Sequence, residues 1–436
     1  MDIHKRTRER VDRAVSHWLP REGFVRNMIM LAGGTVLGQG IVVLASPIIT
    51  RLYKPSDFGL LAVYGSILGI ISVLASMRYE TVIPLPKEDD DAANVMGLAL
   101  IIVVAISLIT GVLSLLMGKQ FALLVGSPAL ESYLWLLPVG VGLIGIYQVF
   151  NNWAVRKQAF GQIARTKINQ GLGSVLTQIG FGVINIKPLG LLIGQVVGLA
   201  SGASTLFRLF LRRDGYVVRA ISLKRIRNMA KRYKKFPTLA ALAASLNSFS
   251  VYMPAIFLAA VYGPQVAGWF AVTQRAVGMP LNLVSQSIAQ VYMGKAASLA
   301  RSSPIKLEKL FFSLFLRLLI LGLLMTFPIV LIAPRLFVFV FGVAWGESGS
   351  YLPRLAPLFI AQFISAPFGS TLDILERQEL FFSREAIRII LMLGAFLIVT
   401  IYGFSARNSM TALGIAGAVG YALYVVFAFL AIKQNR

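Results

Sequence analysis

Cysteine is absent from the 436-residue chain. That excludes structural disulfides and thiolate metal sites. Histidine is nearly absent: His4 and His17 are the only two, both close to the N-terminus, so no pair stands at metal-ligand spacing. Charge is scarce. Asp, Glu, Lys and Arg make up 14% of the chain, where a soluble domain has about a quarter. Acids are the scarcest charge, 18 against 42 Lys and Arg, for a net charge of +24. No glycine-rich phosphate cradle ending in Lys-Ser or Lys-Thr occurs, and no nucleotide-binding domain, so the chain alone is no ATP-driven pump. Long loops are missing as well. No outer loop has room for a catalytic domain, the largest lying around 335–350. The reading is therefore not an enzyme, with no metal and no cofactor. No cleavable signal peptide is visible, because the first apolar run is long enough to stay in a membrane.

Apolar sequence is what remains. The chain is 57% hydrophobic with a mean hydropathy of +0.74. Apolar runs of ~20 residues, the length that crosses a bilayer as a helix, recur throughout. The runs are continuous and not alternating, which argues against a β-barrel. The fold class is an all-α polytopic membrane protein. Twelve spans are expected, at roughly 27–50, 58–78, 92–117, 132–153, 168–186, 189–211, 237–261, 266–294, 308–334, 351–374, 385–404 and 411–432.

The basic residues orient these spans. With the N-terminus inside, 33 Lys and Arg fall in cytoplasmic segments and seven in outer loops, while Arg275 and Arg317 lie within spans. This asymmetry places both termini in the cytoplasm. The charge thus belongs to topology, and no nucleic-acid partner is expected. The 212–236 segment, the one long loop, carries Leu223, Ile226, Ala230 and Tyr233 on one face among seven basic residues. It reads as an amphipathic helix on anionic inner-leaflet lipid. The 1–26 tail, with Val11, Val15, Trp18 and Leu19 among arginines, reads the same way. The surface-anchor reading outweighs a dedicated partner site for both.

Tyr53-Lys54-Pro55-Ser56-Asp57-Phe58-Gly59-Leu60-Leu61-Ala62-Val63 returns 209 residues later as Tyr262-Gly263-Pro264-Gln265-Val266-Ala267-Gly268-Trp269-Phe270-Ala271-Val272, with five of eleven positions identical. Lys157-Gln158 and Arg377-Gln378 are a weaker echo. Six spans per half make the repeat parallel, about an axis along the membrane normal. The expected organisation is a tail (1–26), a six-helix lobe (27–211), a linker (212–236) and a second six-helix lobe (237–436), pseudo-symmetric about a central cavity. Both repeated turns fall on the outer side, where they are expected to shape an outer gate.

Charge inside an apolar span is costly and commonly faces a cavity or a partner. Arg275, about 15 Å into the eighth span, is the leading candidate. It is either half of an ion pair within the bundle or a contact to an anionic substrate, and the shortage of acids in the spans favours the second. Gln274 beside it, and Gln39 and Asn152 in the first and fourth spans, are polar candidates. Arg78 and Glu80 close the second span, either as an interfacial ion pair or as a phosphate contact. Arg51 ends the first span, by snorkelling or by function. Arg317 reads as structural. Asp373, in the tenth span, caps a helix or carries a coupling ion, with the cap favoured.

Two stretches, Arg51-Leu52-Tyr53-Lys54-Pro55-Ser56-Asp57-Phe58-Gly59-Leu60-Leu61-Ala62 and Arg78-Tyr79-Glu80-Thr81-Val82-Ile83-Pro84-Leu85-Pro86-Lys87, resemble the opening of Wzx-type polysaccharide biosynthesis proteins. Those are flippases of the multidrug/oligosaccharidyl-lipid/polysaccharide export superfamily. The resemblance is specific over 27–92. It implies two six-helix lobes around a cationic cavity, a polyprenyl-pyrophosphate-linked glycan as substrate, and outward movement driven by an ion gradient, H+ or Na+. It also implies a bacterial inner-membrane location and a cavity arginine, matched by Arg275; a glycan polymerase is the candidate protein partner. The alternatives are a multidrug exporter or lipid II flippase of the same superfamily or, from another class, a membrane glycan polymerase or ligase.

Overall fold

The computed structural model describes residues 22–375 and 377–434. Most of the tail expected to be amphipathic, residues 1–21, lies outside the described residues. The first half holds α1 (Glu22–Leu52), α2 (Pro55–Ser72), α3 (Asp89–Leu124), α4 (Leu136–Arg156), α5 (Phe160–Val183) and α6 (Leu189–Asp214). A short α7 (Leu223–Arg232) follows. The second half holds α8 (Ala241–Tyr262), α9 (Pro264–Thr273), α10 (Met279–Ser302), α11 (Pro304–Phe341), α12 (Gly346–Ser365), α13 (Gly369–Ile374), α14 (Gln378–Ile401) and α15 (Ala406–Gln434). Each expected span meets a helix. The eighth is α9 and α10 joined by a π-helical turn, and the tenth is α12 and α13 joined by a 3-10 turn.

Eight segments are long and apolar enough to cross a membrane by length and composition. The spans that fall short are those built on α4, α5, α9–α10 and α14. These carry Asn151, Lys167, Arg275 and Arg388.

The duplication shows in the packing. In the first lobe α1 packs on α5, α5 on α6, α4 on α6 and α3 on α4; in the second α8 packs on α14, α14 on α15, α12 on α15 and α11 on α12. It is one scheme, shifted by six spans. Between the lobes the most extensive contact is α2 against α9, the helices that open with the repeated turns. Each starts with a proline in its first turn, where a missing N–H costs nothing. A Cβ on Gly59 would lie 1.7 Å from the Pro264 carbonyl oxygen, and one on Gly268 would lie 1.8 Å from that of Pro55. Only glycine lets the two backbones approach so closely. The two copies are each other's partners, at one end of the molecule.

Three further contacts hold that end, called here the turn end. Trp345 Nε1 donates to the Thr50 carbonyl at 2.9 Å, and the Trp345 ring meets Phe58 edge-on at 4.9 Å. Arg51 donates to the carbonyls of Pro47 (3.1 Å) and Phe339 (3.2 Å), joining α1 to α11. Gly126, at φ +64°, fits against the backbone of Ala259 and Ala260.

The opposite, basic end is organised by ions. Arg156 donates to Asp89 Oδ1 at 2.9 Å and to the carbonyls of Pro86 and Lys87. Lys157 pairs with Asp89 and Asp214. Burial works against the Lys157 charge, yet those carboxylates hold its pKa above the ordinary value. The acidic 87–91 stretch thus finds its cations at the end of α4, in Arg156 and Lys157, and on α7, where Arg225 pairs with Asp90.

The linker departs from expectation. Ile226 and Met229 of α7 are buried against the chain itself, α7 lying on α3. The linker is tied down by Asn94, which accepts from Ser222 N–H (2.9 Å) and donates to the Ala220 carbonyl (3.0 Å). Part of its apolar face, at Ile226 and Met229, is covered by protein. The cationic face, with Lys224, Arg227 and Lys231, stays exposed, as does Leu223.

Candidate functional site

Between the lobes lies a cavity of about 410 Å³. The first lobe contributes Phe58, Ser66, Gln178 and Gln195, and the second contributes Tyr252, Gln274 and Arg275. Arg275 reaches it from the π-helical turn Gln274–Gly278. Such a turn inserts one residue into the α-helical ladder and re-aims the side chains around it. Its position is fixed from the preceding turn, where the Thr273 hydroxyl donates to the Ser348 carbonyl of α12 at 2.7 Å. Arg275 makes no ion pair among the described residues. The pairing alternative thus finds no acid there, and a guanidinium faces the cavity. Gln178 presents an unpaired carbonyl oxygen, its amide being used on the Leu191 carbonyl.

A second cavity, of about 370 Å³, lies nearer the basic end between α1, α4, α5 and α10. Gln39, Asn151, Lys167, Gln286 and Gln290 line it. The Lys167 ammonium sits 5.0 Å from the Tyr147 ring centroid. A third, small cavity inside the second lobe is lined by Arg388, Gln362 and Tyr421 and shares Val251, Phe270 and Gln274 with the central one. Among the described residues these three cavities are lined by three cations and no carboxylate. An anion entering them is desolvated against fixed positive charge and amide donors. A cation would find no counter-charge.

The expected site residues separate into three groups. Arg275 and Gln274 reach the central cavity, and Gln39 reaches the second. Asn152 does not: it donates to the Gln148 carbonyl of its own helix at 3.0 Å, while Asn151, about 100° away around α4, faces the cavity. Arg78 and Glu80 line none of the three. Glu80 is buried, accepts from the Ser76 hydroxyl and lies 3.4 Å from Arg78 Nη1. This pair fixes the tight turn after α2, in which Arg78 takes φ +65°, so the ion-pair alternative holds for it. Arg51 is spent on backbone carbonyls of both lobes at the turn end. Asp373 falls in α13, but its side chain lies outside the described residues. Arg317 is exposed on α11 beside exposed Leu316 and Ile320.

Sequence reasoning missed the α14 cluster. Arg384 and Arg388 counted as cytoplasmic loop residues, and Asp373 was held to be the one acid well inside a late span. Arg384, Glu385 and Arg388 are in fact buried, each 3–4% exposed. The signal was the spacing Arg-Glu-x-x-Arg ahead of an apolar run, which puts Glu385 and Arg388 on one helical face.

Comparison with known proteins agrees with this architecture. The structure superposes on an inward-facing multidrug resistance MATE family transporter of the MOP superfamily with a TM-score of 0.76 at 17% identity, over 94% of this chain and 98% of that one. For an outward-facing MATE family transporter the values are 0.64 and 15%, over 94% and 95%. For a MOP superfamily transporter from Pyrococcus furiosus, described as having a binding pocket of reverse polarity, they are 0.66 and 15%, over 94% and 96%. At such identities the likeness is one of fold: two helical lobes of the MOP type. No curated protein matches the chain by sequence. A family model described as "Polysaccharide biosynthesis protein" matches residues 48–350. With that match covering most of the chain, and with the Wzx-like opening inside it, the chain belongs to the polysaccharide biosynthesis protein family, on the fold of the MOP transporters.

Proposed function

We propose that the protein is a flippase that carries a polyprenyl-pyrophosphate-linked oligosaccharide from the inner to the outer leaflet of a bacterial inner membrane. The carrying observation is the charge of the three cavities, which present cations and amides and no carboxylate among the described residues. A pyrophosphate needs such a lining to leave water, and arginine suits it by its fixed fork of donors. An exporter of cationic drugs would need the opposite sign.

In this reading the basic end faces the cytoplasm, as the Lys and Arg asymmetry supports, and both termini are there. The lobes are joined at the outer, turn end, while the second cavity lies toward the cytoplasm. This arrangement suits loading from inside. The headgroup binds at Arg275 and Gln274 with the sugars against Gln39, Asn151 and Gln290; the prenyl tail stays in lipid. Parting of α2 from α9 then exposes the site outside. An ion gradient drives the cycle, and the exported unit feeds synthesis of a cell-surface polysaccharide.

The test is deletion of the gene followed by extraction of lipid-linked glycans. One such intermediate is expected to accumulate inside, and accumulation of none refutes the function. Complementation with Arg275→Gln at normal protein level is expected to leave at least a tenfold deficit in surface glycan, partly relieved by Arg275→Lys.

A further inference from the structure

Arg388 is 4% exposed, on α14 within the second lobe. Its Nη2 lies 2.9 Å from Glu385 Oε2 and donates to Asn247 Oδ1 of α8 at 3.0 Å. The Tyr424 hydroxyl holds the other oxygen of Glu385. Nη2 is therefore held, and the Tyr421 side chain is a further hydrogen-bond partner of the guanidinium. Its Nε is buried and makes no hydrogen bond. Across the same small cavity the Ser250 hydroxyl is also buried without a partner. Both residues line this cavity, and a buried donor left without a partner is costly. Buried polar groups in native proteins nearly always have partners, so the pair calls for an acceptor that arrives from outside.

We propose that Arg388 and Ser250, with the amides of Gln362 and Gln274, form a second anion subsite that takes one oxyanion group of the transported molecule. The cavity of about 50 Å³ has room for one such group, since ~10–15 Å³ on this measure already holds a water. Access is from the central cavity, through the shared Val251, Phe270 and Gln274. Gln274 lines both spaces and is adjacent to Arg275, so one bound molecule can engage both arginines. Glu385 positions Arg388 and holds its charge while the subsite is empty. The inference rests on the central cavity being the headgroup site, and it adds a specific second contact. The group is a phosphate of the carrier lipid or the carboxylate of an acidic sugar; the chemistry of recognition is common to both.

The test titrates the purified full-length protein in lipid nanodiscs with inorganic pyrophosphate and, separately, with glucuronate, reading affinity by calorimetry. Arg388→Gln is expected to weaken at least one probe by tenfold or more, and Ser250→Ala to weaken the same probe several-fold. Loss for pyrophosphate alone assigns the subsite to the carrier phosphates; loss for glucuronate alone assigns it to an acidic sugar; loss for both shows that it reads charge without regard to source. Glu385→Gln/Arg388→Gln keeps the net charge of the buried Arg384–Glu385–Arg388 cluster and supplies a second variant should the single one misfold. Should both Arg388 variants fail to fold, Ser250→Ala decides by itself. Wild-type affinity for both probes in every folded variant overturns the subsite. If Arg275→Gln still abolishes pyrophosphate binding in that case, the proposed function stands without it. If Arg275→Gln binds normally while the Arg388 variants do not, the subsite stands and the central assignment falls.

Discussion

Replacing Gly268 by alanine sets a Cβ 1.8 Å from the Pro55 carbonyl oxygen. Ordinary contact is ~3.5 Å, so α2 and α9 must separate by about 1.7 Å at their first turns. Neither helix yields easily there. The obstruction is backbone, and Pro55 is itself buried. Overpacking of this kind costs ~1–3 kcal/mol. The strain falls on the state in which the two turns touch and is relieved when the lobes part at this end. At ~1.4 kcal/mol per factor of ten, the conformational balance moves about 5- to 150-fold toward the turn-end-open form. The assay uses the natural lack of cysteine. A single Ala62→Cys thiol in the central cavity is labelled in intact cells by a membrane-impermeant maleimide. Adding Gly268→Ala is expected to raise the labelling rate at least fivefold. Gly40→Ala, where a Cβ meets nothing within 4 Å, is expected to leave it unchanged. An unchanged rate in folded Gly268→Ala protein would show that the contact does not gate access.

Other perturbations follow the same logic. Trp345→Phe keeps the ring beside Phe58 but loses the bond to the Thr50 carbonyl, about 1 kcal/mol; the same labelling assay is expected to show a rise of roughly fivefold. Arg156→Gln strips Asp89 of one of its two cations and leaves the Pro86 and Lys87 carbonyls short of a donor. A loss of ~1–2 kcal/mol, seen as a lower unfolding temperature in detergent, is expected, and an unchanged midpoint would contradict the ion network described at the basic end. Asn94→Ala removes the two bonds that tie the linker to α3, so trypsin is expected to cut at 224–235 several-fold faster, with the two lobes intact on a gel.

Twelve spans, their duplication and the arginine that lines the central cavity were legible because each rests on local chemistry. Apolar length fixes a span, a Pro-x-x-x-Gly turn announces itself twice, and a lone arginine among apolar residues is conspicuous. What was illegible depended on distance or on register. Arg51 has a partner 288 positions away on α11, and nothing around it in sequence tells a snorkelling arginine from a latch. Asn151 and Asn152 are chemically alike, and only the rotation of α4 decides which one faces the cavity. Arg384 and Arg388 were hidden by the rule that oriented the chain. A count that assigns cations near a span end to the cytoplasm cannot see two of them folded inward around Glu385. The amphipathic pattern of α7 was correct, but a pattern does not say whether lipid or protein covers the apolar face.

The meeting of α2 and α9 has the geometry of an isologous interface, the kind formed when two identical subunits pair about a two-fold axis. Proline 55 receives glycine 268, and glycine 59 receives proline 264. One surface is used twice, within one polypeptide. A six-helix chain carrying only the first copy already holds both faces of that joint and could close against a second molecule of itself. Covalent linkage of the halves leaves this joint symmetric while the cavities behind it have become unlike, with Lys167 in one lobe and Arg275 and Arg388 in the other. The shared end keeps the symmetry of a dimer, and the binding chemistry has been free to diverge.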